Sequence, residues 1–121
     1  MITQQTITAT VAVGGTGATA DTEMIMGEIL KVSMDVTGDS MDINLDSLGE
    51  QVAQAIIDYT GNTDSTFYPR AFQEGITGTD LVYIASGEEI PTPFVVYGKL
   101  RLTLASAAAA ETVTMTITYR Q

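Results

Sequence analysis

Strict alternation of apolar and polar residues over positions 94–104 and 112–119 constrains the fold more than any other feature of the sequence. The apolar positions are Phe94, Val96, Leu100, Leu102 and Leu104, with Gly98 on the same face, and then Val113, Met115, Ile117 and Tyr119. A period of two with one apolar face is typical of a strand that buries one side. Small residues at 105–111 separate the segments, so the sequence predicts a C-terminal hairpin.

The same alternation, carried largely by threonines mixed with Val, Ile and Met, predicts earlier strands at 3–13, 24–37, 41–45, 65–72 and 81–84. The core positions predicted for the first two strands are Ile7, Ala9, Val11 and Val13, and Met24, Met26, Leu30, Val32, Met34 and Val36. Gly27 inside the second strand indicates a bulge or a close backbone approach. Pro69 removes a backbone donor, which places its segment at a sheet edge or ends it there.

Residues 47–59 fit two structures. As a helix, Ser47 would be the N-cap and Glu50 would close a capping box. As a strand, Gly49 would occupy a left-handed turn position and residues 51–59 would return antiparallel to the preceding strand. Both interpretations stay open on the residues alone.

Turn signals recur between the predicted strands, as at Gly38-Asp39 and in the loops 14–21, 73–80 and 86–93. Seven or eight short strands at this spacing predict an all-β chain, an antiparallel β-sandwich or a jelly roll. The length of 121 residues predicts a single domain over 1–121. Residues 1–5 are either the start of the first strand or a flexible N-terminal arm that orders against a partner.

Composition excludes several classes of function. The formal net charge of −10 disfavours nucleic acid and anionic membrane surfaces as partners. The chain has no Cys and no His, which removes thiolate metal sites, the commonest general base and the usual nucleophilic triads. We therefore expect no enzyme, no cofactor and no small-molecule substrate. Neither a signal peptide nor a membrane-spanning run is recognisable, so we expect a product made in the cytoplasm.

Two stretches partly match ligand-binding motifs. The glycines of Gly14-Gly15-Thr16-Gly17 are not followed by the Gly-Lys-Ser/Thr of a phosphate loop, so this stretch predicts a plain loop. Asp42, Asn44 and Asp46 alternate like the start of a calcium loop, but the glycine and glutamate that such a loop requires are missing. Solvated acids are favoured over a weak calcium site there.

Residues 62–70, 94–104 and 112–119 together resemble small structural proteins of tailed bacteriophages. The shared features are Phe67-Tyr68-Pro69-Arg70, the stretch Pro93-Phe94-Val95-Val96-Tyr97-Gly98-Lys99-Leu100, a small-residue turn and a last Thr-Val-Thr strand ending in Tyr119. The resemblance covers about the last half of the chain, and the loop 14–21 has no counterpart in it. It favours the strand interpretation of 51–59.

The resemblance implies a capsid decoration, or cement, protein on the exterior of the head, bound to the major capsid protein and forming a homo-oligomer (trimer or dimer). The predicted location is the virion surface. The candidate contacts are Met1, Ile2, Thr3, Gln4, Gln5, Gly14, Gly15, Thr16, Gly17, Arg70, Glu88, Glu89, Pro91 and Pro93.

Two further hypotheses concern other ligands. One is a tail, baseplate or fibre-associated β-sandwich, or a carbohydrate-binding adhesin-like domain; its candidate aromatic residues are Tyr59, Tyr68, Phe72 and Tyr83. The other is a contact patch for an acidic partner at Lys99 and Arg101 near Tyr97, against which simple charge balance is favoured.

Overall fold

The structure is a computed structural model that describes residues 1–49, 54–72 and 91–121. These residues form ten strands and no helix, so no helix long enough to cross a membrane occurs among them. The strands are β1 (Ile2–Thr10), β2 (Ala18–Asp21), β3 (Ile25–Thr37), β4 (Met41–Ser47), β5 (Ala55–Gly61), β6 (Ser65–Phe67), β7 (Arg70–Phe72), β8 (Pro91–Gly98), β9 (Leu100–Ala105) and β10 (Thr112–Arg120).

The strands build two antiparallel sheets that pack face to face. The first sheet has the order β1-β10-β3-β8-β7, with β6 also paired to β3, and the second has the order β2-β9-β4-β5. The core between them is aliphatic; its fully buried members include Ile25, Ile29, Val32, Ile43, Leu45, Leu100, Leu102, Val113, Met115 and Ile117. The predicted all-β sandwich is confirmed. The finer jelly-roll assignment stays a prediction.

The C-terminal segments have the predicted faces but not the predicted pairing. The residues on the predicted apolar faces of 94–104 and 112–119 are all buried, as their period required. However, β8 belongs to the first sheet and β9 to the second, and β10 pairs with β1 and β3. The expected C-terminal hairpin is therefore wrong. The chain instead bends at Gly98-Lys99 and passes from one sheet to the other while it keeps the same face towards the core.

This corner depends on two glycines in backbone contact. Gly98 has a φ of 134°, and a Cβ added there would overlap the Cα of Gly49. A Cβ added at Gly49 would overlap the carbonyl oxygen of Tyr97. Gly49 does not adopt the left-handed turn conformation expected for it, since it is not among the positive-φ residues. Its role is the close backbone approach, which no larger residue permits.

Hydrogen bonds from the residues that directly follow β2 and β4 fix the backbone just after the corner. The Leu48 N–H donates to the Lys99 carbonyl at 2.8 Å. Thr22 makes two hydrogen bonds to the backbone of Leu100. Its N–H donates to the Leu100 carbonyl, and its Oγ1 accepts from the Leu100 N–H, each at 2.9 Å. Thr22 is 2% exposed, so these groups have no access to water as a substitute partner.

A bulge in β3 reverses part of its predicted face. Lys31 lies opposite Thr118 and Ile29 lies opposite Tyr119, so Leu30 is the extra residue. Val32 and Met34 are buried as predicted, but before the bulge Ile25 and Ile29 are buried and Met24 and Met26 are exposed. A bulge shifts the period-two pattern by one, which turns the earlier residues over. At Gly27 the expected close approach is present, because a Cβ there would overlap the Arg120 carbonyl.

The structure also tests three predictions about residues at or near the ends of strands. The helix interpretation of 47–59 is wrong where it can be compared, because Ser47 ends β4 and residues 55–59 lie in β5, antiparallel to β4; residues 50–53 lie outside the described part. Residues 2–5 belong to β1, paired along β10, and do not form a free arm. Val13 is 97% exposed in the loop after β1, not in the core.

The predicted loops and short strands are also revised. Part of the loop 14–21 forms β2, and positions 91–93 of the loop 86–93 belong to β8. The 65–72 segment is split at Pro69 into β6 and β7, as its missing donor indicated. The predicted strand 81–84 and loop 73–80 lie outside the described residues.

We expect Gly98→Ala to lower the free energy of unfolding by about 2–4 kcal/mol, because it adds a clash with Gly49 to an unfavourable backbone conformation. The matched control is Gly14→Ala, whose φ of 78° is also unfavourable but where an added Cβ has no neighbour within 4 Å. Its cost should be about 1 kcal/mol. Urea unfolding measures both, and equal costs would contradict the role of the glycine contact.

We expect Thr22→Val to cost about 1–3 kcal/mol, because it preserves volume but leaves the Leu100 N–H buried without an acceptor. Thr22→Ser keeps the oxygen and removes one methyl group, so it should cost about 0.8 kcal/mol. Thermal or urea unfolding of the pair separates the hydrogen bond from packing. A serine variant as unstable as the valine variant would contradict this assignment.

Candidate interaction surface

The outward side of the first sheet is rich in hydroxyl groups. Strands β1, β10 and β3 place neighbouring polar residues in rows across this side: Thr10-Thr112-Thr37, Thr8-Thr114-Asp35, Thr6-Thr116-Ser33 and Gln4-Thr118-Lys31. The hydroxyls of Thr6 and Thr116 are 3.0 Å apart, and so are those of Thr8 and Thr114. Hydrogen-bonded cross-strand threonines stabilise a sheet and present a nearly neutral surface.

Four exposed apolar side chains extend this surface at one end, and we call them the apolar patch: Met24, Met26, Val95 and Tyr97. Met26 lies directly opposite Tyr97, and Val95 lies opposite Glu28. Their exposures of 52% for Met26, 65% for Val95 and 61% for Tyr97 are high for side chains of this size. Grouped exposed apolar residues mark interaction sites more often than isolated ones do.

A charged pair borders the apolar patch. Arg120 lies 3.6 Å from the Glu28 carboxylate, and both side chains are solvent-accessible. Ile2, which is 59% exposed, lies opposite Arg120 on the next strand. A row of neighbouring residues therefore crosses strands β1, β10, β3 and β8: Ile2, Arg120, Glu28 and Val95. The two charges in this row, on Arg120 and Glu28, compensate each other. This end of the first sheet combines apolar contacts with a polar rim, as protein interfaces do.

The outward side of the second sheet is acidic. Asp42 and Asp46 on β4, Asp58 on β5 and Asp21 on β2 all point away from the core. Arg101 lies between Asp46 and Asp21 in the register and binds Asp21 through two hydrogen bonds of 2.8 and 3.0 Å. These bonds, with the positive charge of Arg101, lower the pKa of Asp21 below its ordinary value. Arg101 thus balances local charge, while Tyr97 lies on the other sheet.

The surface of the described residues includes two grooves of note. One, of about 400 Å³, lies over β10, β3 and β6 and is lined mostly by hydroxyls and by Asp35 and Asp64. Asp64 already forms a hydrogen bond within the protein, since its Oδ1 accepts one from the Val36 N–H at 2.8 Å. The other groove, of about 260 Å³, is lined by Ile56, Ile57, Asp58, Phe67, Tyr68 and Pro69.

No group of three acidic side chains that could hold a metal ion occurs among the described residues, the Asp42-Asn44-Asp46 face included. Both grooves carry hydroxyl and carboxylate groups in their lining. Their hydroxyl and carboxylate groups suit hydrogen bonding to a polar ligand better than anion binding.

The structure distributes the predicted contact residues over three places. Met1, Ile2, Thr3, Gln4 and Gln5 lie at the start of β1, and Gly14, Gly15, Thr16 and Gly17 lie beyond its other end. Arg70 and Pro93 face each other on β7 and β8, across the sheet from β1. Glu88 and Glu89 lie outside the described residues, and Pro91 begins β8. Those that the structure describes do not form one site.

Sequence reasoning missed the apolar patch. The alternation of 24–36 predicts Met24 and Met26 in the core, because it takes no account of the register shift at Leu30. The alternation of 94–104 predicts Val95 and Tyr97 on the polar face of their strand, where the structure has them. Two large apolar residues on a polar face were the available signal for an interaction surface.

Comparison of the chain with protein-family models, curated proteins and solved structures finds no match.

We expect the stabilising effect of Asp21 to depend on pH. A carboxylate with a lowered pKa stabilises the fold fully above its ordinary pKa of 3.8 and loses the effect as the pH falls through its folded-state value. Asp21→Asn should therefore lower the Tm at neutral pH and have little effect in strong acid. Asp35→Asn, the same charge change at an exposed position, is the control. A Tm difference for Asp21→Asn that persists in strong acid would contradict the role of the ion pair.

Proposed function

We propose that this chain is a virion structural protein, a capsid decoration protein that binds the major capsid protein on the exterior of the head. The observation that carries the proposal is the apolar patch at the end of the hydroxyl-rich side of the first sheet. A patch bordered by a compensated charge pair fits a protein surface as partner.

The charge distribution supports the same function. The formal net charge of −10 disfavours contact with packaged DNA, and the acidic side of the second sheet suits exposure to solvent. The first sheet is then the side that faces the capsid. The resemblance of segments 62–70, 94–104 and 112–119 to phage structural proteins supports a capsid protein as the partner.

The test adds purified protein to undecorated capsids and measures saturation by sedimentation. We expect binding at a fixed ratio to the capsid protein and at least tenfold weaker binding for the double variant Val95→Thr/Tyr97→Thr, because central apolar residues carry most of an interface's energy. Threonine suits a strand, so the fold should persist.

The matched control is Tyr68→Thr, since Tyr68 is 63% exposed but lies outside the apolar patch. It should bind capsids like the unchanged protein. Absence of saturable binding would refute the decoration function, and equal loss in both variants would refute the assigned surface.

A second candidate function is carbohydrate binding, which the 260 Å³ groove favours. Tyr68 lines it, Asp58 offers a hydrogen-bonding carboxylate, and Phe67 packs edge-on against Tyr59 at 5.9 Å. A glycan array distinguishes the candidates: binding that is lost in Tyr68→Thr and kept in Val95→Thr/Tyr97→Thr would support a sugar site. No binding to any glycan on the array, together with saturable capsid binding, would support the decoration function.

A further inference from the structure

Strand β1 is the long outer strand of the first sheet, and it leaves one side of its backbone unpaired. It pairs with β10 over its whole length, Ile2 to Thr10, without a register shift. At its two ends, the Met1 carbonyl accepts the Gln121 N–H and the Val11 N–H donates to the Glu111 carbonyl. Alternate residues of an antiparallel strand direct their backbone groups to opposite sides. Odd-numbered residues therefore bond to β10, and even-numbered ones face the free edge.

The free backbone groups belong to Ile2, Gln4, Thr6, Thr8 and Thr10. Within the part of the chain that the structure describes, these groups have no backbone partner. An outer strand of this kind is a template for another strand unless charge, proline, a bulge or shortness protects it. The segment Ile-Thr-Gln-Gln-Thr-Ile-Thr-Ala-Thr contains no charge and no proline.

The other described outer strands carry such protection. β2 has four residues and ends in Asp21, and β7 has three residues beginning with Arg70. β5 carries Asp58 and has a register irregularity opposite Leu45 and Asp46. Among the described outer strands, β1 alone is long, regular and neutral.

We propose that β1 is a homodimerisation edge, at which two copies of this chain join antiparallel about a two-fold axis at Thr6 to form one continuous sheet. The proposal does not depend on the capsid function. In this register Thr6 pairs with Thr6 of the second copy, Gln4 with Thr8, and Ile2 with Thr10. All five free residues of each copy then find backbone partners.

Charge favours a second copy as the occupant. Two chains that each carry −10 repel one another, so their contact requires a surface without acidic residues. β1 itself carries no acidic residue. Close to it, Asp21 of β2 is paired with Arg101, and Glu23 is joined to Gln5 through its backbone N–H. The new Thr6–Thr6 contact also repeats, across the axis, the Thr6–Thr116 and Thr8–Thr114 pairs within each copy. A two-fold interface uses the same surface of both copies, so a single neutral strand in each chain is enough to form it.

The test begins with the mass of the full chain in solution, by sedimentation equilibrium over a range of concentrations. We expect twice the monomer mass of 12.8 kDa. Thr8→Pro removes an N–H that points to the free edge and none that bonds to β10, and Thr6→Lys places two like charges at the axis. Each should weaken the dimer at least tenfold, whereas Thr66→Lys, on an exposed position of β6, should not.

The register is tested by cross-linking. The chain has no cysteine, so Thr6→Cys introduces a single thiol. Directly opposite residues in a hydrogen-bonded pair have Cα atoms about 5.5 Å apart, within the range that a disulfide spans. Thr6→Cys should therefore form a covalent dimer under mild oxidation, and Thr66→Cys should not.

A monomeric protein at all concentrations would overturn the proposal. So would a dimer that persists in both Thr8→Pro and Thr6→Lys, or one that cross-links through Thr66→Cys but not through Thr6→Cys. A monomer whose capsid binding is lost in Thr8→Pro would also overturn it, since β1 would then accept a strand of the capsid protein. Circular dichroism confirms that each variant is folded.

Discussion

The fold depends on the corner at Gly98, where the chain leaves the first sheet and enters the second. At that point the backbone of Gly98 lies against that of Gly49, and a side chain on either residue would overlap the other segment. Thr22 and Leu48, which follow β2 and β4, hold residues 99–100 by hydrogen bonds. This backbone contact thus joins the two sheets. It fixes the point at which the chain passes from β8 to β9, both of which bury one face in the core.

The corner also decides which residues face which surroundings. β8 contributes Val95 and Tyr97 to the outward side of the first sheet, and β9 contributes Arg101 to that of the second. The bulge at Leu30 turns Met26 outwards, opposite Tyr97. As a result the apolar patch lies on the hydroxyl-rich side, and four aspartates lie on the other. This separation of charge underlies both proposed interactions, because an acidic chain can approach a partner only where it is neutral.

The two proposed contacts use different parts of the first sheet. The apolar patch lies on its outward side at the β3–β8 end, while the free backbone groups of β1 lie along its opposite edge. Pairing at β1 would place the outward sides of two copies on the same side of one continuous sheet. Both apolar patches would then remain accessible to one flat partner, with the increase in affinity that bivalent attachment gives.

The sequence by itself determined the all-β class and the buried faces of β4, β8, β9 and β10, because a period of two with one apolar face permits no other burial. It also located the interruption at Pro69 and the close approach at Gly27. Pairing partners were decided only by the tertiary structure, because alternation records which face is buried and not which strand lies beside it. The predicted hairpin became a corner, and residues 2–5 joined a sheet, for this reason. The apolar patch likewise required the bulge at Leu30, which the sequence did not locate, since the only indication of a bulge in this strand was at Gly27.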